Sequence, residues 1–152
     1  MKNYPLAASS SDQSAYRGLF TSQSADRVRA LIDDALSKGA TRVIGHDSSS
    51  STTPNVIQPT LLDNTPESAK IIKEEIFGPA VAIIRFADEK EAIRIANARE
   101  FGLSAAVFSR DIGRAFKVAK QIEVRYYLAL VDAELYSVSA GWCGTYQQFD
   151  DS

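Results

Sequence analysis

The sequence has a single cysteine, no excess of basic residues and no long apolar run. Cys143 has no partner for an internal disulfide, which favours a reducing compartment. The formal net charge of -2 and the pI near 5.4 argue against nucleic acid or an anionic membrane surface as a partner. No run of about 18 apolar residues is available to cross a bilayer. These absences predict a cytoplasmic protein.

The composition that remains is typical of one globular domain. The 152 residues contain 45% apolar and 24% charged side chains. Residues 1–23 are rich in serine and lack an apolar period, so we predict an N-terminal arm there. We assign residues 24–131 to an α/β domain. Residues 132–152 form a divergent, aromatic-rich tail, which we expect to pack on the domain or on a partner subunit.

The domain is predicted to begin with a helix and a short strand. Apolar side chains at spacings of three and four predict a helix over residues 25–38, preceded by Ser24 and ended by Gly39. The next segment, residues 41–45, is a candidate for a short strand. A helix packed against a strand is the start of an α/β arrangement.

The next two predicted elements each contain a proline. Residues 55–63 are expected to form an edge strand or an irregular extended segment, because Pro59 has no N–H to donate to a strand ladder. A short helix is predicted over residues 66–74, with Thr65 as its cap and Pro66 at its first position.

The second half of the domain repeats a strand–helix pattern. Residues 80–86 are mostly apolar, which indicates a strand covered on both faces. Strand starts near residues 81, 104 and 125 recur regularly, and Asp88 and Asp111 are placed to cap the helices between them. This order predicts two successive β-α-β units with right-handed crossovers. The fold class is therefore α/β, with an open, mainly parallel sheet and helices on both faces.

Two pairs of adjacent titratable residues stand out in the sequence. His46 is the only histidine and stands beside Asp47 after a strand, so it is a candidate general acid or base, the alternative being an ordinary loop residue. Asp33 and Asp34 are adjacent, and successive helical residues point about 100° apart, so they do not form a catalytic pair. Asp34 is instead predicted to pair with Lys38 on a solvated helix face.

Short motifs in a fixed order resemble the aldehyde dehydrogenase superfamily over residues 24–123. The motifs are Leu61-Leu62-Asp63, Glu74-Glu75-Ile76-Phe77-Gly78-Pro79, Arg85-Phe86, Glu91-Ala92, Ala96-Asn97, Phe101-Gly102-Leu103 and Val107-Phe108-Ser109-Arg110-Asp111. The resemblance implies that Glu75 holds the hydroxyls of the nicotinamide ribose and that Phe77 lies against the nicotinamide. A carboxylate suits a diol because its two oxygens can each accept a hydrogen bond. The alternative is a loop that only orients the strand starting at Ala80.

The sequence also departs from this family. The family's catalytic cysteine lies in a Gly-Gln-x-Cys-type segment, and residues 1–24 contain none. Cys143, which has no base beside it, is not expected to be a nucleophile. No Gly-x-Gly-x-x-Gly turn is present, and no metal site is predicted. We therefore expect a truncated chain that requires no cofactor and is not a competent NAD-dependent aldehyde dehydrogenase on its own, with NAD binding implied only by the resemblance.

Three functions are compatible with these observations. The first is a repurposed fragment that binds a small organic molecule and assists a non-redox biosynthetic step, such as cyclisation, isomerisation or dehydration, with His46 and Glu75 as candidate catalytic groups. Its binding pocket would be lined by aromatic side chains, namely Tyr126, Tyr136, Trp142 and Tyr146. The second is an NAD(P)-dependent aldehyde dehydrogenase fragment or subunit, and the third is a non-catalytic partner of a full-length dehydrogenase. Because a fragment leaves apolar faces uncovered, we also predict a homodimer or higher oligomer.

Overall fold

The computed structural model describes residues 18–45, 54–131 and 145–146. The elements in chain order are α1 Ser22–Ser37, β1 Thr41–Ile44, β2 Thr60–Asp63, α2 Lys70–Lys73, β3 Ala80–Ile83, α3 Glu89–Asn97, β4 Ser104–Ser109, α4 Ile112–Ala119, β5 Tyr126–Val131 and β6 Thr145–Tyr146. They belong to two compact units, which meet in sequence between Ile83 and Ile84. None of the described helices has the length and apolarity that a membrane crossing requires.

Helix α1 starts earlier than the sequence pattern predicted. Its N-cap is Thr21, whose hydroxyl oxygen accepts a hydrogen bond from the Ser24 N–H at 3.0 Å, so Ser24 lies inside the first turn. Gly39 ends the helix as predicted, and its φ of 102° is one that residues other than glycine rarely adopt. The buried face of α1 is apolar and consists of Ala25, Val28, Leu31, Ile32 and Ala35.

The sheet of the first unit is mixed. Strand β2 pairs antiparallel with β1 and parallel with β3, so β2 lies between two neighbours. The predicted edge strand is therefore wrong for residues 60–63, although residues 56–59 form the irregular part that was the alternative. Pro59 precedes the paired residues. Its missing N–H is therefore not needed in the strand ladder, and β2 can lie inside the sheet. The α/β class predicted from the sequence is confirmed.

The helix predicted over residues 66–74 is shorter in the structure. It covers only Lys70–Lys73, and its N-cap residue, Ala69, offers no side-chain cap. The Lys70 N–H instead donates to a carboxylate oxygen of Asp34 at 2.8 Å, so helix α1 provides the cap. Thr65, the predicted cap, is buried, and its N–H donates to the Ile83 carbonyl at 3.0 Å. The prediction failed because the capping group comes from a residue distant in sequence.

The second unit contains a complete β-α-β arrangement. Strands β4 and β5 are parallel, with Ser104 opposite Tyr126, and α4 connects them. Asp88 and Asp111 cap α3 and α4 as predicted, since each carboxylate accepts a hydrogen bond from the backbone N–H three residues later. One hydrophobic core cluster of this unit is formed by Val107 and by one face of α4, namely Ala115, Val118 and Ala119.

Polar contacts join α3 to α4 and to the turn that follows α4. Glu89 accepts hydrogen bonds from Arg114 at 3.1 Å and from Lys117 at 3.0 Å. These two cations, Lys117 first, hold the pKa of the Glu89 carboxyl below its usual value. The Asn97 side chain donates to the Gln121 carbonyl at 2.8 Å and accepts from the Glu123 N–H at 2.9 Å. The side chains of the second unit thus fix the helices that flank its parallel strands.

Candidate functional site

The candidate site is the loop of residues 74–79, which leads from α2 into β3. Arg27 of α1 holds this loop by its backbone: one guanidinium nitrogen donates to the Glu75 carbonyl at 2.6 Å and to the Ile76 carbonyl at 3.0 Å. The other terminal nitrogen of Arg27 lies 3.7 Å from a carboxylate oxygen of Glu74. The loop is therefore attached to α1 by a charge-assisted contact across 48 residues of sequence.

The aromatic residue of this loop, Phe77, combines an exposed ring with an unfavourable backbone conformation. Phe77 has a φ of 44° and is 60% exposed, whereas the side chain of Ile76 before it is buried. A residue other than glycine in this region of φ costs about 1–3 kcal/mol, and the surrounding contacts must offset that cost. A phenylalanine that is both strained and exposed gains nothing from core packing, and residues of this kind cluster at binding sites.

Gly78 lets the loop approach α1 closely. A Cβ atom added to Gly78 would lie 2.7 Å from Cγ2 of Val28, closer than real Cβ contacts come. The two residues that follow join the sheet, because the Pro79 carbonyl accepts from the Thr60 N–H at 2.8 Å and Ala80 starts β3. The loop is therefore continuous with the strand that starts at Ala80.

Glu75 is the carboxylate of this loop. Its side chain is partly exposed, and among the described residues it has no hydrogen-bond or ion-pair partner, since Arg27 contacts only its backbone oxygen. Both carboxylate oxygens can therefore accept hydrogen bonds from a ligand. The loop thus brings together Glu75 and Phe77, the two residues predicted to contact a cofactor.

The other predicted site residues lie in the second unit or outside the described residues. Tyr126 is 62% exposed on β5 and belongs to the second unit, while the side chains of Tyr127 and Tyr146 are not described. Several candidates lie outside the described residues, namely His46, Asp47, Tyr136, Trp142 and Cys143. Within the part of the chain that the structure describes, no three potential metal ligands lie together. The described candidate site therefore consists of Glu75, Phe77 and the contacts that hold them.

Arg27 is the site residue that the sequence did not indicate. It lies on the polar side of an amphipathic helix, where an arginine usually contacts only solvent. Its role depends on the two carbonyls that it reaches at residues 75 and 76, and backbone atoms leave no signal in the residue types. Only the three-dimensional structure could identify it.

The described elements define an α/β protein whose candidate loop leads into a strand of the sheet. A model of the aldehyde dehydrogenase family matches residues 2–127. The chain belongs to this family, as its motifs indicated, and the match extends beyond the predicted range of 24–123 at both ends.

Relatives and solved structures agree with this assignment. A vanillin dehydrogenase of Pseudomonas fluorescens is 43% identical over 111 residues, which are 73% of this chain and 22% of that protein. An aldehyde dehydrogenase of Agaricus bisporus is 44% identical over 94 residues, 62% of this chain and 19% of that protein. The chain thus spans about a fifth of the length of these curated relatives.

Solved structures with a bound nicotinamide cofactor also match the chain. The NADP-dependent glyceraldehyde-3-phosphate dehydrogenase of Bacillus halodurans, complexed with NADP, matches with a TM-score of 0.72 and 35% identity over 81% of this chain and 25% of its own. The aldehyde dehydrogenase of Mycobacterium tuberculosis, complexed with NAD+, matches with a TM-score of 0.73 and 30% identity over 87% of this chain and 28% of its own. The described fold is therefore that of part of such an enzyme.

Proposed function

We propose that this chain supplies the loop that contacts the ribose and nicotinamide end of NAD(P) in an aldehyde dehydrogenase. The observation that carries the proposal is the pairing, on one loop held by Arg27, of a carboxylate without a partner among the described residues and an exposed ring at a φ of 44°. This pairing fits a ligand that has a diol next to a flat aromatic ring. The nicotinamide end of the cofactor has both groups.

The residues present fit that cofactor by their chemistry. The two oxygens of the Glu75 carboxylate can accept hydrogen bonds from the two hydroxyls of a ribose. The Phe77 ring offers an apolar face against which a planar ring can stack. When it is bound, the nicotinamide group accepts or donates the hydride, whereas these residues bind and orient it. No described residue is assigned to the thiol chemistry of the family, because Cys143 lies outside the described range.

A thermal-shift titration of the 152-residue chain with NAD and with NADP tests the proposal. A ligand that binds only the folded state raises its stability, by about 2.7 kcal/mol at a hundred times the dissociation constant. We expect a concentration-dependent rise in Tm that the substitutions Glu75→Gln and Phe77→Ala each reduce. Glu100→Gln is the matched control, because Glu100 is an exposed carboxylate outside the loop.

The change in Tm shows whether the chain binds NAD(P) and whether the loop residues contribute to that binding. A rise in Tm with either cofactor that only the two loop variants lose supports the proposal. Absence of any rise up to millimolar cofactor, or a rise that both loop variants keep, would contradict it. A positive result also justifies an assay of NAD(P) reduction with aromatic aldehydes, because vanillin dehydrogenases are among the relatives.

A second candidate function is binding of a small organic molecule for a non-redox step. It is favoured by residues 128–152, which lie outside the range matched by the family model and carry Tyr136, Trp142 and Tyr146. His46 and Glu75 remain its candidate catalytic groups, and the cytoplasmic location remains a prediction. Incubation of the chain with cyclisable or dehydratable aldehydes should accelerate product formation without consuming NAD(P). Rates equal to the spontaneous ones across such a panel would reject it.

A further inference from the structure

The loop of residues 74–79 has one buried apolar side chain between two more exposed residues. Ile76 is buried and anchors its middle, while Glu75 is partly exposed and Phe77 is largely exposed. Glu75 and Phe77 therefore lie on either side of the buried Ile76 side chain. A single buried side chain does not determine the orientation of the peptide groups on either side of it, and those peptide groups set where the Glu75 and Phe77 side chains start.

Arg27 fixes the orientation of the peptide groups on both sides of this buried side chain. Its Nη2 atom donates to the carbonyl oxygens of Glu75 and Ile76, at 2.6 Å and 3.0 Å, so both carbonyls must point toward α1. The next peptide then begins at Phe77 with a φ of 44°. Because a phenylalanine does not adopt this φ by preference, the loop would relax toward negative φ if the two carbonyls were released. The guanidinium has the planar donor arrangement that can hold two acceptors at once.

We infer that Arg27 is the positioning residue of this site, which sets the orientation of Glu75 and Phe77 toward the cofactor through the backbone carbonyls of residues 75 and 76. The inference rests on the proposed function for its ligand, and on the hydrogen bonds alone for its effect on the loop. Loss of the Arg27 contacts lowers the fraction of molecules whose loop is competent to bind. The apparent dissociation constant rises in inverse proportion to that fraction.

The chain contains a matched control on the same helix. Arg29 also donates to two backbone carbonyls of another segment, those of Pro54 at 2.8 Å and Val56 at 2.9 Å. A purely structural role would make the two arginines equivalent, since each attaches a loop to α1 by the same kind of bond. A positioning role makes only Arg27 important for the ligand.

The experiment compares Arg27→Met, Arg27→Lys and Arg29→Met in the full chain. Methionine keeps much of the apolar stem and removes the donors, whereas lysine keeps the charge and part of the donor capacity. NADH affinity is measured by fluorescence titration, and stability by urea unfolding. Loop order is measured by amide hydrogen exchange at Ala80, whose N–H donates to the Gly78 carbonyl at 2.8 Å. We expect Arg27→Met to weaken NADH binding about tenfold, as a loop that is competent in about a tenth of the molecules would. Arg27→Lys should give an intermediate value.

The remaining readouts decide between positioning and general stability. Both methionine variants should lower the urea midpoint, but only Arg27→Met should weaken NADH binding and accelerate exchange at the loop. Equal effects of the two variants on NADH affinity, or unchanged affinity in Arg27→Met, would overturn the inference. If the wild-type chain does not bind NADH, the proposed function fails by itself. The exchange measurement then still tests Arg27, because unchanged exchange in Arg27→Met would refute its hold on the loop.

Discussion

At the scale of single residues, Gly78 is required by space. A Cβ there would lie 2.7 Å from Cγ2 and 3.1 Å from Cγ1 of Val28, a residue that is 1% exposed on α1. We predict that Gly78→Ala lowers the free energy of unfolding by about 1–3 kcal/mol, the usual cost of overpacking a core. Urea unfolding followed by circular dichroism measures this change.

The double variant Val28→Ala/Gly78→Ala is the control for that prediction. It removes the two methyl groups that the added Cβ would meet, so its effect should be smaller than the sum of the two single effects. Strict additivity of the two substitutions would mean that Gly78 is required for a reason other than the contact with Val28.

Asp34 provides a prediction on pH. The pKa of its carboxyl lies below the usual 3.8, first because the Lys70 N–H donates to it and next because the Lys38 ammonium does. A carboxyl with a lowered pKa in the folded state binds fewer protons there than in the unfolded chain. Its contribution to stability is therefore complete above pH 3.8 and is lost as the pH falls through the lowered pKa.

We expect Asp34→Asn to flatten the acid limb of the stability profile. The urea midpoint of the wild type should fall more steeply below pH 3.8 than that of the variant. Asp33→Asn, an exposed neighbour on α1, should keep the wild-type profile. Parallel profiles of wild type and Asp34→Asn would contradict the assigned contacts.

At the scale of elements, Asn97 connects the end of α3 to the turn after α4. Its amide makes two hydrogen bonds, to the Gln121 carbonyl and from the Glu123 N–H. Asn97→Ala should lower the free energy of unfolding by about 1–2 kcal/mol, because both bonds are lost in an exposed setting where water replaces them in part. Lys90→Ala, an exposed change in the same helix, should stay within about 0.5 kcal/mol. Equal urea midpoints for the two variants would refute the role of Asn97.

Elements that depend on local sequence could be predicted, and those that depend on distant contacts could not. Helices α3 and α4 were located because Asp88 and Asp111 cap them from the adjacent residue. Helix α2 was predicted too long because its N-terminus is capped by Asp34, which is 36 residues away. The prediction of an edge strand is wrong for β2. Pro59 precedes this strand and carries no information about the strands with which residues 60–63 pair.

The features of the candidate site also fall into those that the sequence predicts and those that it does not. Glu75 and Phe77 could be named from their motif, because side-chain types carry that information. The positive φ of Phe77, the contact of Gly78 with Val28 and the Arg27 hydrogen bonds required the structure. Each of these is a property of backbone geometry or of two distant segments, for which the sequence has no local pattern.

At the scale of the whole molecule, the second unit exposes many large apolar side chains. Those more than two-fifths exposed are Phe101, Leu103, Phe108, Ile112, Phe116 and Tyr126. Phe108 and Tyr126 share the sheet face opposite Val107, because paired residues of parallel strands point to the same side. An apolar surface of this kind favours association.

We therefore expect the isolated chain to form a dimer or a larger oligomer. Sedimentation velocity at micromolar concentration should show the assembly, and Phe108→Glu should shift it toward the monomer, because a buried charge without a partner is costly. Ala98→Glu, which introduces the same charge at an exposed position just after α3 and outside the apolar set, is the control. A wild-type chain that stays monomeric at high micromolar concentration would refute this prediction.

The central claim is that the loop of residues 74–79 binds the nicotinamide end of NAD(P). The most direct measurement is a titration of the isotope-labelled chain with NAD and with NADP, followed by amide chemical shifts in NMR spectra. The account predicts saturable shifts at Glu75, Ile76, Phe77 and Gly78 that Glu75→Gln weakens. Saturable binding that leaves these four amides unchanged, or no binding of either cofactor at millimolar concentration, would contradict it.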